Sequence, residues 1–294
     1  MEIHLERFMR FFKYHGLGND YLVMNPSEIG RELTREEIIS ICHRNYGIGS
    51  DGILWGPSQS QGHDFDLRIF NPDASEAEKS GNGLRIFSRY LYDQKQVELD
   101  HPFKIKTPGG IVTACVMDSG KRVNVEMGQV SFNSEDIPVE GPPREVLNES
   151  IAVDGQSYTF CAATVGNPHC VILMDDISDE LAKNVGPFVE TDARFSNRTN
   201  VQFMKVLDRS NIQIEIWERG AGYTLASGSS SSASAAVAHK LGLCDNQITV
   251  HMPGGTLDIL IDESFGVSMT GPVTHVGAGE LDTELFSDIP EFLF

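Results

Sequence analysis

Positive charge is what this sequence lacks most: 23 lysines and arginines stand against 42 aspartates and glutamates in 294 residues, a formal net charge of −19. Nucleic acid and anionic membrane surfaces are bound through clustered Lys and Arg, so neither is an expected partner. No run approaches the roughly 18 apolar residues of a membrane span. Met1 to Phe12 is broken by Glu2, Glu6, Arg7 and Arg10 before a leader-like apolar core can form. Cysteine is scarce and odd in number. Cys42, Cys115, Cys161, Cys170 and Cys244 have no metal-like spacing, which argues against a zinc site or a disulfide framework and fits reduced thiols in a cytoplasm. The loop Gly47-Ile48-Gly49-Ser50-Asp51-Gly52 lacks the lysine and spacing of a phosphate loop, so nucleotide binding is not expected. These absences leave a soluble cytoplasmic protein acting on something small.

What the chain does hold is a second version of itself. Ile69-Phe70-Asn71 aligns with Ile216-Trp217-Glu218, and Ser80-Gly81 with Ser227-Gly228, at one offset and without a gap. Gly18-Asn19 aligns with Gly166-Asn167, and Pro108-Gly109-Gly110 with Pro253-Gly254-Gly255, at nearly that offset. The period is far longer than the roughly 20 to 50 residues of a solenoid unit, so it reads as a duplicated domain. The expected halves are residues 1–130, joined by 275–294, and residues 131–274. The Pro-, Glu- and Asn-rich stretch Asn133 to Glu149 is the expected linker. Folded face to face, such halves would bring Ser80 and Ser227 into one cleft, each at the start of a helix.

Taken in order, Phe11 to Met24 reads as strand, glycine turn and strand, with Asn19 and Asp20 on the bend. Thr34 to Tyr46 opens on a Thr-Arg-Glu-Glu capping box and continues as an amphipathic helix, with His43 and Arg44 in its last turn, where positive charge suits the dipole. Phe65 to Phe70 alternates as a strand, Asn71 to Lys79 is a solvated acidic loop, and Gly81-Asn82-Gly83 opens a helix through Tyr92. Amides at such a helix start bind a carboxylate well, although an ordinary N-cap by Ser80 or Asn82 explains the same residues. The second half repeats the plan with a Gly-Asn-Pro-His turn, the strand Cys170 to Met174, the helix Asp179 to Val189, and a small-residue helix from Ser230 to Leu241. His169 reads first as a hydrogen-bonding scaffold and second as a proton carrier. Glu218 beside Arg219 is a surface ion pair of little worth, unless it lies at a cleft mouth, where it would clamp an amino group and a carboxylate.

The blocks HGLGNDY, YGIGSDG, RIFNPDASEAEKSGNGLR, TVGNPHC, NVQF and ERGAGYTLASG, with the two PGG turns, closely resemble the diaminopimelate epimerases from Phe11 to about Gly279. The resemblance implies an α/β (α+β) fold of two pseudo-symmetric domains, each a curved, mostly antiparallel sheet wrapped around a central helix. It implies a cofactor-independent isomerase, without a metal, that interconverts LL- and meso-diaminopimelate on the route to lysine and peptidoglycan. An amino acid is then the expected partner, with monomer and homodimer both open. In that family one cysteine thiolate removes the α-proton and a second thiol protonates the opposite face. Here Ser80 and Ser227 stand at those two catalytic positions, and none of the five cysteines falls in either motif. The resemblance further implies that Gly81 and Asn82 with Gly228 and Ser229 hold the substrate carboxylate at the reacting carbon. Asn19, Asn71, Asn167, Asn200, Glu218 and Arg219 match positions that grip the substrate, several of them at its distal amino acid end.

Serine changes the chemistry. A thiol that titrates near about 8.5 is readily tuned to thiolate at a helix N-terminus, whereas an alkyl hydroxyl generally needs a neighbouring base. Glu78, His169 and Glu218 are the candidates for that help. Three readings follow: an epimerase whose cysteines were replaced deliberately, a natural racemase, epimerase or related isomerase using assisted hydroxyls, or an amino acid binding protein that kept the cleft and lost the chemistry. The run GSSSSAS departs from the family's usual GTGAC-like stretch at several positions, which favours natural divergence.

Overall fold

Alternation of apolar and polar residues turns most of this chain into strand. Phe103–Thr107 shows it plainly, burying Phe103, Ile105 and Thr107 while exposing Lys104 and Lys106. The computed structural model describes residues 9–58 and 62–287. They fall into two units, one running to Asn124 and resuming at Pro272, the other Val125–Gly271.

In the first unit Thr274–Leu281 pairs antiparallel with Met9–Gly16, which pairs antiparallel with Asn19–Met24. Asn19–Met24 runs parallel to Ile53–Ser58, and that strand antiparallel to Phe65–Phe70. Phe65–Phe70 runs parallel to Phe103–Thr107, which closes antiparallel on Gly110–Met117. The helix Gly81–Asp93 packs on Met9–Gly16, Asn19–Met24 and Gly110–Met117, strands from opposite ends of this order, so the sheet bends around it. Leu84, Ile86, Phe87, Tyr90 and Leu91 are all buried, as a helix enclosed on several sides requires.

The second unit repeats that order pairing by pairing. Glu149–Val153, Gln156–Thr164 and Pro168–Leu173 are antiparallel neighbours. Pro168–Leu173 runs parallel to Asn200–Asp208, which is antiparallel to Asn211–Glu218. Asn211–Glu218 runs parallel to Gln247–Met252, which is antiparallel to Gly255–Ile261. The helix Gly228–Lys240 packs on the last six of these strands. Its residues from Ser230 to Ala238 are all fully buried, and their small side chains let the strands close in. Ser231 and Ser232 return their hydroxyls to the carbonyls of Ser227 and Gly228, each at 2.8 Å, which satisfies polar groups that would otherwise sit in a dry core. Each unit also carries an outer helix between its third and fourth strands, Arg35–Cys42 and Asp179–Glu190. No helix among the described residues is long and apolar enough to cross a membrane.

Three local expectations are corrected. Asn19 and Asp20 lie in the strand Asn19–Met24, and the bend is Leu17-Gly18, both at positive φ (59° and 91°). The capping box of Thr34 and Glu37 forms, but the helix ends at Cys42 rather than Tyr46, because Ile48 and Gly49 fold back to give their N–H groups to the Ile41 carbonyl. Arg44 therefore lies beyond the helix and answers to carboxylates described below. Asn133 to Glu149 is not a linker. Ile137, Val139 and Val146 are buried in the core of the second unit beside Phe160, Phe195 and Val201, and Val139 bridges Phe195. Three β-branched residues anchor a stretch whose composition otherwise looks solvated.

Ile137→Ala accordingly lowers stability by about 2–5 kcal/mol, the range for truncating a buried aliphatic side chain. A shift of the urea midpoint checks it, whereas a linker residue would leave the midpoint in place.

Candidate active site

Each central helix begins at the serine that the repeat singles out. Ser80 and Ser227 have extended backbone and act as N-caps: Gly83 donates its N–H to Ser80 Oγ at 3.0 Å, and Ser230 donates its N–H to Ser227 Oγ at 3.4 Å. The matching PGG turns hold the approach to each cap. Gly109 N–H donates to the Glu78 carbonyl and Gly254 N–H to the Leu225 carbonyl, both at 2.8 Å and both two residues before the serine. A Cβ at position 109 would stand 2.9 Å from the Glu78 oxygen, so the turn needs glycine there. Asn19, the first residue after the Leu17-Gly18 bend, and Asn167 each meet the second residue of a helix. Asn82 Nδ2 donates to Asn19 Oδ1 at 2.9 Å, and Asn167 Nδ2 to Ser229 Oγ at 3.4 Å.

In the first unit Asn19 also donates through Nδ2 to Asp51 at 2.8 Å. Arg44 spans Asp20 at 2.7 Å and Asp51 at 2.6 Å, and Lys13 pairs with Asp20 at 2.9 Å. Burial opposes the charge on Asp20, yet Arg44 and Lys13 hold its carboxyl below the ordinary value. Behind Asn82 the Arg85 side chain is fully buried and donates to Asn82 Oδ1 at 2.8 Å. Burial pulls its pKa to about 10, which leaves it charged at neutral pH and fixes the Asn82 amide. Asn71 is tied into its own loop, donating through Nδ2 to Ser75 Oγ at 2.9 Å. Gly81 and Asn82 are buried in the first turn of the helix.

In the second unit His169 is wholly buried, and its Nε2 lies 3.0 Å from Asn167 Oδ1. Because Asn167 gives its amide hydrogens to Ser229, its oxygen is the acceptor and His169 donates through Nε2. Burial drives the imidazole pKa to about 3, so the ring is neutral. His169 thus orients Asn167, and it is Asn167 and Ser229, rather than the imidazole, that lie next to the cap. Gln202, buried nearby, donates to Ser230 Oγ at 3.0 Å. Asn200 donates to the Pro168 carbonyl at 2.9 Å and accepts from Arg219 N–H at 3.0 Å, so two sequence-predicted positions meet in this unit. The Arg219 guanidinium donates to the Asn197 carbonyl at 2.8 Å, and Glu218 beside it is half-buried. Gly228 is buried at the helix start and Ser229 half-buried.

The sequence reading missed Glu190. This buried carboxylate accepts from Trp217 Nε1 at 2.7 Å and Gly220 N–H at 3.2 Å, and pairs with Arg198 at 3.1 Å. It thereby ties the segment bearing Glu218 and Arg219 to the outer helix. Its only signal in the sequence was an acidic residue directly after Val189 on the buried face. Asp51, Arg85 and Gln202 are further residues the sequence did not single out, although they lie within the blocks YGIGSDG, RIFNPDASEAEKSGNGLR and NVQF. Glu78, a candidate helper, has an exposed side chain and makes no hydrogen bond with Ser80. None of the five thiols is activated: burial pushes each of them up, Cys42 to about 11.

The sequence profile named diaminopimelate epimerase matches residues 11–133 and 161–276. Diaminopimelate epimerase 2 of Nostoc sp. (strain PCC 7120) is 65% identical over 279 residues, covering 95% of this chain and 98% of the relative. Diaminopimelate epimerase of Pelotomaculum thermopropionicum is 37% identical over 278 residues, covering 92% and 98%. Among solved structures, a hydroxyproline epimerase from Agrobacterium vitis superposes with a TM-score of 0.68 at 14% identity, covering 95% of this chain and 92% of that one, which speaks for the fold.

Two outcomes follow from the second unit. The folded-state pKa of His169, about 3, lies below its ordinary 6.5. The unfolded chain therefore binds the extra proton between those values, and stability falls as pH drops through that window at up to about 1.4 kcal/mol per pH unit. Above pH 6.5 the contribution is constant; His169→Gln flattens that acid limb in urea titrations run across pH. Glu190→Gln leaves one accepting oxygen where two serve three donors and removes the charge facing Arg198, which costs about 1–3 kcal/mol, read as a lowered urea midpoint.

Proposed function

The chain belongs to the diaminopimelate epimerase family, and we propose that it epimerises the α-carbon of diaminopimelate between the LL and meso forms, or of a closely related amino acid. The observation that carries this is the doubled helix start. Each unit has a hydroxyl at the cap, first-turn amides behind it and an asparagine, Asn19 or Asn167, bonded to the helix's second residue. Two copies of one device suit a reaction that takes a hydrogen from carbon and returns it. Ser80 and Ser227 are the proton acceptor and donor. Gly81, Asn82, Gly228 and Ser229 offer first-turn amides to the carboxylate, whose charge grows as the α-proton leaves. Asn19, Asn71, Asn167, Asn200, Glu218 and Arg219 fix the remaining amino and carboxylate groups, and His169 orients Asn167. The unpaired state of all five cysteines supports a cytoplasmic setting.

Serine sets the expected rate. A hydroxyl holds its proton more tightly than a thiol, and each pKa unit corresponds to about 1.4 kcal/mol. Loss of the α-proton from LL- and meso-diaminopimelate in D₂O, followed by NMR, is expected above the buffer rate. Saturable binding of either isomer with no exchange would make the chain a binding protein instead. Ser80→Cys combined with Ser227→Cys is expected to raise exchange by orders of magnitude, since a thiol at a helix N-terminus is readily ionised. A correctly folded double variant that gains nothing removes these positions from the reaction.

A further inference from the structure

Ser80 has a kind of neighbour that Ser227 does not have in its own unit. The phenol oxygen of Tyr21 lies 3.4 Å from Ser80 Oγ. Its ring is 7% exposed and seated against Gly52, where a Cβ would stand 2.8 Å from Tyr21 Cε1 and even nearer the Phe70 carbonyl oxygen. Glycine at position 52, which has a φ of +155°, is thus a condition for the ring to lie where it does. Within the second unit Ser227 Oγ meets the Ser230 N–H and, at 3.5 Å, the Ser229 hydroxyl. Both are weak acids, and neither offers the intermediate acidity of a phenol.

A serine hydroxyl has two acceptor positions and one hydrogen. Gly83 N–H fills one acceptor position of Ser80. Either hydroxyl can donate across the 3.4 Å between Tyr21 and Ser80; with Tyr21 as donor the other position is filled and the hydrogen of Ser80 is left for a third partner, and Ser80 is half-buried rather than sealed. We propose that Tyr21 is the positioning residue and proton partner of Ser80, an inference that rests on the epimerase reading above. When the substrate carbanion is protonated, the Ser80 hydrogen passes to carbon as the Tyr21 hydrogen passes to Ser80 Oγ. One C–H bond forms, the Ser80 and Tyr21 O–H bonds break, an O–H bond re-forms on Ser80, and the negative charge ends on the Tyr21 oxygen. In the abstracting direction each transfer reverses. Ser80 then never carries alkoxide charge, because the charge rests on a phenolate, the conjugate base of a stronger acid than an alkyl alcohol.

Tyr21→Phe keeps the ring on Gly52 and removes only the oxygen. The experiment follows α-proton exchange of LL- and meso-diaminopimelate in D₂O across pH for the full chain, for Tyr21→Phe, and for a chain carrying a ring-fluorinated tyrosine at position 21. Tyr21→Phe is expected to lower kcat by about 10²-fold or more, the usual scale for losing a proton-transfer group, with KM little changed. The fluorinated side chain, more acidic, is expected to move the pH profile to lower pH, which a merely structural ring would not do. It also keeps the inference testable if the phenylalanine variant folds poorly. Native kcat in Tyr21→Phe, or a fluorinated profile superimposable on the native one, overturns the role of Tyr21 and leaves the epimerase reading intact. Absence of exchange by the native chain on both isomers overturns the two together.

Discussion

A helix that starts inside a folded sheet leaves N–H groups that its own turns cannot satisfy. That constraint governs both units of this chain. Each central helix is enclosed by strands, so its first amides cannot all be left to bulk water. One is met by the cap serine, and the polar groups around it are met by an asparagine beside a hairpin bend. The rest of the architecture keeps this arrangement in register. The PGG turn pins the backbone entering the cap, Arg85 stiffens Asn82, and in the second unit His169 stiffens Asn167 while Gln202 holds Ser230 in the first turn of the helix. The carboxylate partner proposed above is compatible with a chain carrying a net charge of −19. Local amides act over a few ångströms, whereas the global field is screened over about 8–10 Å at ordinary ionic strength.

The two helix starts are alike in plan and unlike in chemistry. In the first unit the cap lies near ionised groups, with Arg85 and the Lys13, Asp20, Arg44 and Asp51 cluster linked to it through Asn19 and Asn82. In the second the corresponding positions are hydroxyls, amides and a neutral imidazole. Duplication supplied a shared frame, and each copy was then furnished differently.

The duplicated frame was legible because the residues that cannot vary freely are turn and cap residues, and these leave short motifs at a fixed offset. Ser80, Asn19, Asn167 and the PGG turns could be placed from that offset alone, and the structure puts each in the matching step of its unit. Glu190 and Gln202 could not be found this way, since their roles depend on contacts between elements far apart in sequence. Asn133 to Glu149 was misread for a related reason: a few β-branched side chains suffice to anchor an irregular segment on a core, and composition averages them away. Arg44 shows the same limit at shorter range, because the loop that ends its helix is held by bonds to Ile41 that no local propensity announces.

The edge of the first unit is closed from far away. Met9 pairs with Leu281 and His15 with Thr274, while the second unit is built from one continuous stretch. A ribosome therefore delivers every strand of the second unit before it delivers the one that covers Met9–Gly16. Until then the nascent first unit carries an unpaired strand edge, the kind of surface on which chains add to one another. Loss of that last strand, by truncation or proteolytic nicking, would reopen the same edge in the finished protein and convert a local cut into a tendency to aggregate.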